Sequence, residues 1–489
     1  ARTVSQQHNV VVLVPSKRQA SVWTDEADLT VSKAEQITAA VDRLTRGHVG
    51  LVVIINRYDG IDLPDQACRL LIVDSLPFAY NGIERREAIA LRDSEAMVTR
   101  QLQRLEQGMG RGVRSRDDRC VVLLLGSRLI QLLAHPEYAD RMSAATRAQL
   151  DVSRKVAARL EGSDVEALQQ VITQVIDDDP GFRKLSREAL VGITYSPASV
   201  SPSAIHLRAA YNSAVGNRPA EAAAHAKAAV DAARSSGDSP LAGWLGETQA
   251  TYLHSLDPVA AQKALTDAGR LNTAVLKPRG GMEYDRIGAP SAQAQQASTY
   301  LSERYLTGHD LILGMDAMMA DIEWDKERTP EAEAALAELG LHLGFTSQMP
   351  ERDYGIGCDV LWNVGHHAYW VIEAKTGAEA PLVWKHHINQ LGGSVNWCHK
   401  EYGGGADVVP IMVHPSHVIE QAGTPPLNTR VINAQKLRGL KAAVRRFARA
   451  IASSDKPADV EKQLTALKLD AGSFIASYTQ LAYREPRKP

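Results

Sequence analysis

The sequence predicts a multidomain α/β protein: a parallel-sheet domain over residues 1–135, an all-helical stretch over 136–310, and a second α/β domain over 311–489. Three observations carry this division. Fully apolar runs alternate with polar helical stretches in the first part, which is the pattern of strands buried on both faces. The middle is rich in Ala, Leu, Gln and Arg at helical spacing, without strand-like runs. Beyond residue 311 a helix, a hairpin and further strands return. A chain of 489 residues is also too long for one core.

Composition narrows the class. Hydrophobic residues make up 44% and charged residues 23%, as in globular domains. No run of 18 or more apolar residues is present, so no membrane partner is expected. Cys68, Cys120, Cys358 and Cys398 lack metal-ligand spacing and suggest a reducing, cytoplasmic compartment. The net charge of −2 offers no overall basic field for nucleic acid, so such binding would need a local groove. The start Ala1-Arg2-Thr3-Val4 is expected to be the cut end of a longer chain.

In the first domain, the buried strands are expected at 9–15, 49–56, 69–74 and 120–125. In the middle, Ala210-Tyr211 followed by Gly216-Asn217 and an Ala-rich helix reads as a helix-turn-helix unit. A second begins at Trp244-Leu245-Gly246 and turns at Asp257-Pro258. This pairing resembles tetratricopeptide repeats, which implies a scaffold or a protein-binding surface.

The third domain holds the densest chemistry. Thr329-Pro330-Glu331 starts a helix, with Thr329 as N-cap, and Leu336, Leu339 and Leu343 form its apolar stripe. Glu333 flanks that stripe and can look toward a sheet. Cys358 to Trp362 and Tyr369 to Lys375 are two strands joined by a turn at 363–367. A hairpin symmetric about His366 sets Asp359 opposite Glu373, with Cβ atoms about 5 Å apart. Such carboxylates repel unless a cation sits between them. Glu373 and Lys375 share a face because they are two apart on a strand. Hard oxygen ligands of this kind suit Mg²⁺ or Mn²⁺.

Asp359, then Glu373-Ala374-Lys375, resembles the PD-(D/E)XK nucleases, the restriction-endonuclease-like fold, over roughly residues 325–420. The resemblance implies a metal-dependent DNA endonuclease. Asp359, Glu373 and the helix acid Glu333 would hold metal, Lys375 would orient water, and Gln390 would be the polar residue of the following helix. One departure is Cys358 in place of proline before Asp359.

The first domain carries two further motifs, Asp59-Gly60-Ile61-Asp62-Leu63-Pro64 after a buried strand and Gln107-Gly108-Met109-Gly110-Arg111-Gly112-Val113-Arg114 about fifty residues on. Arginines three apart on a helix share a face, and their planar forks suit phosphate oxygens. These motifs resemble motifs V and VI of superfamily 2 helicases, in the second RecA-like domain of the DinG/XPD-like branch, over roughly residues 8–135. The resemblance implies that Gly60 and Asp62 couple nucleotide state to a nucleic-acid groove. It also implies that Gln107, Arg111 and Arg114 face ATP. No G-x-x-x-x-G-K-[ST] loop exists in the chain. The chain alone is therefore not expected to hydrolyse ATP, and a first RecA-like domain is expected in cis or in trans.

His366-His367 and His386-His387 invite a zinc reading, but neighbours on a strand point to opposite faces. The pairs are expected in a turn and near a phosphate-binding surface. Trp362, Trp370, Trp384 and Trp397 are expected in the core, and the Arg438–Arg449 stretch on a solvated helix face. Together the residues predict the C-terminal portion of a helicase–nuclease acting on DNA, in DNA processing or anti-phage defence. The competing expectation is a DNA-binding scaffold whose two folds are inactive.

Overall fold

The computed structural model describes residues 1–56, 61–76, 82–92, 94–110, 119–160, 162–195, 200–379, 381–454 and 456–484. The chain divides into two compact units, Ala1–Leu245 and Gly246–Pro489.

The first unit is built on strands β1 (Val10–Val14), β2 (Leu29–Val31), β3 (Leu51–Ile55), β4 (Leu70–Asp74) and β5 (Val121–Leu125). They form one parallel sheet in the order β2-β3-β1-β4-β5. The four apolar runs read as strands are the four longer ones. β2 escaped the sequence reading because three residues are too short for a periodic signal. Alternate residues of each strand enter two apolar layers, Val11, Leu13, Val52 and Ile54 on one face and Val10, Val12, Leu51 and Val53 on the other. Helices therefore cover both faces, as an all-parallel sheet requires.

Asn9, buried just before β1, ties this sheet together. Its Nδ2 donates to the carbonyls of Leu44, Gly47 and Gln66, and its Oδ1 accepts from the N–H groups of Val49 and Gly50. Asn9→Ala strands several buried backbone groups at once. It is expected to cost about 2–4 kcal/mol, measured as a fall in the urea midpoint with an unchanged slope. A loss under about 0.5 kcal/mol would contradict this role.

Helices follow the sheet, and Pro202–Val215 packs against Pro219–Ser235 as a helical hairpin. Ala222, Ala226, Ala229 and Ala233 line its inner face and let the two backbones approach. The next helices are Ser239–His254 and Pro258–Leu271, the second capped by the Asp257 side chain.

The second unit carries a mixed six-stranded sheet in the order β12-β11-β9-β8-β7-β6. Its strands are β6 (Thr346–Gln348), β7 (Val360–Gly365), β8 (Ala368–Ala374), β9 (Asp407–Val413), β11 (Arg430–Ile432) and β12 (Gln480–Leu481). A small pair, β10 (Val418–Ile419) and β13 (Tyr483–Arg484), lies apart from it. One face packs Phe345, Trp362, Trp370, Ile372 and Phe474 with the helices Gln293–Arg304, Gly308–Asp321, Thr329–His342 and Ala434–Ile451. The stretch read as a spacer to residue 310 thus gives Ala297, Leu301 and Tyr305 to this core. The other face packs Leu361, Tyr369, Val371 and Met412 under the helix Lys385–Tyr402.

Two local expectations change. Helix Thr329–His342 takes Arg328, not Thr329, as N-cap, because a 3-10 turn at Lys326–Arg328 already starts the coil. Trp384 is 43% exposed at the start of helix Lys385–Tyr402 rather than in the core, whereas Trp362 and Trp370 are buried. His366 and His367 make the left-handed turn between β7 and β8, as expected, and His386-His387 lies in the first turn of helix Lys385–Tyr402. Arg445 of the basic C-terminal stretch pairs with Asp316 at 2.9 Å.

Candidate active site

β7 and β8 pair antiparallel, with Val360 against Ile372, Leu361 against Val371 and Trp362 against Trp370. This register is symmetric about His366, and it brings Asp359, one residue before β7, to Glu373. Both side chains lie on the face shared by Leu361 and Val371, because strand residues alternate. Helix Lys385–Tyr402 covers that face with Ile388, Leu391 and Cys398, so the two carboxylates are buried among apolar groups.

Lys375 answers them. Its Nζ donates to Asp359 Oδ2 at 3.0 Å and to Glu373 Oε2 at 2.9 Å. Asp359 Oδ2 also accepts the Ala374 N–H at 2.8 Å, which fixes it to the end of β8. Glu373 Oε1 accepts from Ser394 Oγ at 2.7 Å, and Ser394 also reaches the Gly357 carbonyl.

Two more carboxylates approach. Glu333, from helix Thr329–His342, is pushed up to about 8 by burial and then by the charge of Asp359. Glu351, on the short helix Pro350–Tyr354, is raised to about 7 by burial and by its hydrogen bond to Asp359. Glu373 is raised to about 7, again by burial first and Asp359 second, although Lys375 and Ser394 pull it down. Burial draws the Lys375 ammonium down, yet the charges of Asp359 and Glu373 outweigh it and leave the group raised. Four carboxylates thus converge on one ammonium.

The cluster offers oxygen donors only, with no thiolate among them, the donor type that hard cations take. Among the described residues no three His, Cys, Asp or Glu side chains already form a metal cage. Lys375 Nζ itself bridges Asp359 and Glu373. By donor type, Asp359, Glu373 and Glu333 would suit Mg²⁺ or Mn²⁺.

The helix residue that touches the cluster is Ser394, not Gln390. Gln390 sits one turn earlier, half-buried, and among the described residues has no hydrogen bond to the cluster. Glu351 has no distinctive motif around it; its one local signal is the helix start at Met349-Pro350-Glu351. Ser394→Ala removes one of the two side-chain bonds that favour ionised Glu373. The Glu373 carboxyl is expected to titrate higher, seen by carbon-detected NMR, and an unmoved midpoint would contradict the assignment.

In the first unit, Asp62 is exposed in the coil after β3, and Gln107 is exposed in the last turn of the helix Glu95–Met109. Gly60, Arg111 and Arg114 lie outside the described residues.

Residues 3–149 match the family model described as a helicase C-terminal domain. The first third of the chain is similar to a helicase C-terminal domain. The parallel sheet is the part of the structure that this match covers. The match points to a helicase-related function for this part of the chain. No curated protein matches the chain. No helix among the described residues is long and apolar enough to cross a membrane.

Proposed function

We propose that residues 246–489 hold a metal-dependent DNA-cleaving site, carried on the same chain as half of a helicase motor. The observation that carries this reading is the set of four carboxylates, Glu333, Glu351, Asp359 and Glu373, gathered on Lys375 at the end of a β-hairpin. Asp359, Glu373 and Glu333 would hold Mg²⁺ or Mn²⁺. Such a cation supplies charge neutralisation at a phosphate and eases deprotonation of the attacking water. Lys375 hydrogen-bonds and orients that water, then offsets the charge that develops on the phosphate oxygens. Asp359 stays fixed by the Ala374 N–H, and Ser394 holds the Glu373 carboxylate in place.

In the first unit, Gln107, Arg111 and Arg114 would face ATP, and Gly60 and Asp62 would couple its state to the DNA groove. A first RecA-like domain, in cis or in trans, would complete the ATPase. The helical hairpins offer a surface for a protein partner. Motor and nuclease together would couple translocation on DNA to cutting, as DNA processing or anti-phage defence requires; this role rests on domain content alone. The rival reading, a DNA-binding scaffold with both folds inactive, is favoured by the Lys375 bridge across the carboxylates.

Plasmid and single-stranded DNA incubated with the chain in Mg²⁺ or Mn²⁺ are expected to be cut. EDTA and Asp359→Ala should each stop it. Intact DNA with folded protein and either metal would support the scaffold.

A further inference from the structure

Beside the carboxylate cluster lie two histidines, His387 and His414, that the mechanism does not use. His414 directly follows β9, next to Lys375, whose N–H donates to the Val413 carbonyl at 2.8 Å. Its side chain is 0% exposed, yet Nε2 has no hydrogen-bond partner among the described residues. Its Nδ1 sits against Ser416, 3.0 Å from the N–H and 2.9 Å from the carbonyl oxygen. When Nδ1 accepts that N–H, the ring proton is on Nε2. His387, in the first turn of helix Lys385–Tyr402, lies with its ring centroid 6.0 Å from that of His414. Its Nδ1 is likewise buried and without a partner among the described residues.

The helix start adds to this. Lys385 N–H donates to Glu420 at 2.7 Å, and Ile388 N–H donates to the Trp384 carbonyl. The His386 and His387 N–H groups between them have no such bond among the described residues. They point along the positive end of an 18-residue helix dipole. Burial chiefly, and then the neighbouring charges of His386, Lys375 and His414, lower His387 to about 4, so its ring is neutral at pH 7. A neutral imidazole gives one N–H donor without a charge of its own. Buried polar atoms left unpaired are costly, and two imidazole nitrogens beside one helix start call for a ligand that can satisfy them.

We propose that His387, His414, Lys375 and the first turn of helix Lys385–Tyr402 form a phosphate-binding subsite. It rests on the nuclease reading for the owner of that phosphate, a nucleic-acid strand held next to the bond that is cut. Oxygens of one phosphate would take the His414 Nε2 proton, a His387 ring N–H and the free backbone N–H groups. The carboxylates Glu333, Glu351, Asp359 and Glu373 oppose an anion here, so Mg²⁺ should strengthen its binding.

The test is titration of inorganic phosphate into the full chain, with and without Mg²⁺. Calorimetry and long-range ¹H–¹⁵N spectra of the imidazoles are the readouts. Saturable binding that moves the His387 and His414 nitrogens is expected. His387→Ala should weaken it by about tenfold or more, and His414→Gln likewise, while His366→Ala in the β7–β8 turn should not. No saturable binding, or equal binding by His387→Ala and His366→Ala, overturns the subsite. Oligonucleotides with a 5′-phosphate or a 5′-hydroxyl then separate the sources. A preference for the phosphorylated end that disappears in His387→Ala assigns a terminal phosphate. Equal affinity for both, lowered alike by His387→Ala, assigns a backbone phosphate. Phosphate held through His387 by a protein that never cuts DNA keeps the subsite and removes the nuclease. Normal cutting with phosphate affinity blind to His387 does the reverse.

Discussion

Lys375→Ala is expected to lower metal-dependent DNA cleavage by about a thousandfold, within the range for a positioned catalytic group. Among the described residues the lysine is the one cation bonded to Asp359 and Glu373, at 3.0 and 2.9 Å, and both acids are almost fully buried. Without it, buried carboxylates lose their counter-charge and neutralise by taking up protons. A protonated acid is a poor metal ligand, so the variant should also bind Mn²⁺ more weakly below neutral pH. Lys375→Arg keeps the charge but replaces a compact ammonium with a planar fork, and it should restore little. Single-turnover cleavage of labelled DNA reads this directly. A Lys375→Ala protein that cuts within about tenfold of the parent would remove the lysine from the mechanism.

The second large effect is on stability. In EDTA, the second unit should become less stable as pH rises from about 5 to 8. Glu333 holds its proton in the folded state up to about 8, and Glu351 and Glu373 up to about 7. In the unfolded chain a glutamic acid loses its proton near about 4.3. Between these values the folded state binds more protons, so stability falls with rising pH. The contribution is fully present below the unfolded value and is lost as pH passes through the folded ones. Lys375, also raised, contributes stability that is lost only far above this window. Mg²⁺ replaces those protons, so it should raise the melting temperature more at pH 8 than at pH 6. Calorimetric scans with and without Mg²⁺ check both signs. Stability that rises through this window in EDTA, or a Mg²⁺ shift unchanged by Glu373→Gln, would mean the carboxylates are not coupled as described.

The hairpin was legible because counting suffices there. Residues 359 and 373 are equidistant from His366, and the register follows that symmetry. The four longer strands of the first sheet were legible because strands buried on both faces are written as unbroken apolar runs. What the sequence left open needed tertiary placement. Gln390 and Ser394 are four apart on one helix, hence on one face, and the sequence does not say how far the helix slides along the sheet. The slide places Ser394 over Glu373. Helix Gln293–Arg304 has the periodicity of the helices before it, and periodicity does not name the core that buries it. Tyr305, just after it, bonds His342 of helix Thr329–His342 at 2.6 Å, a contact with no local signature. His414 was invisible for the same reason: a single histidine at a strand end gains meaning only from His387, which another element brings beside it.

The most direct measurement is cutting and Mn²⁺ occupancy followed in the same samples, by DNA gel and by electron paramagnetic resonance, for the parent chain and Glu373→Gln. Cleavage should rise in step with bound Mn²⁺ in the parent, and both should fall together in the variant. Cutting that persists without bound metal, or Mn²⁺ that binds the variant as tightly as the parent, would contradict a metal-dependent site at Asp359, Glu373 and Lys375.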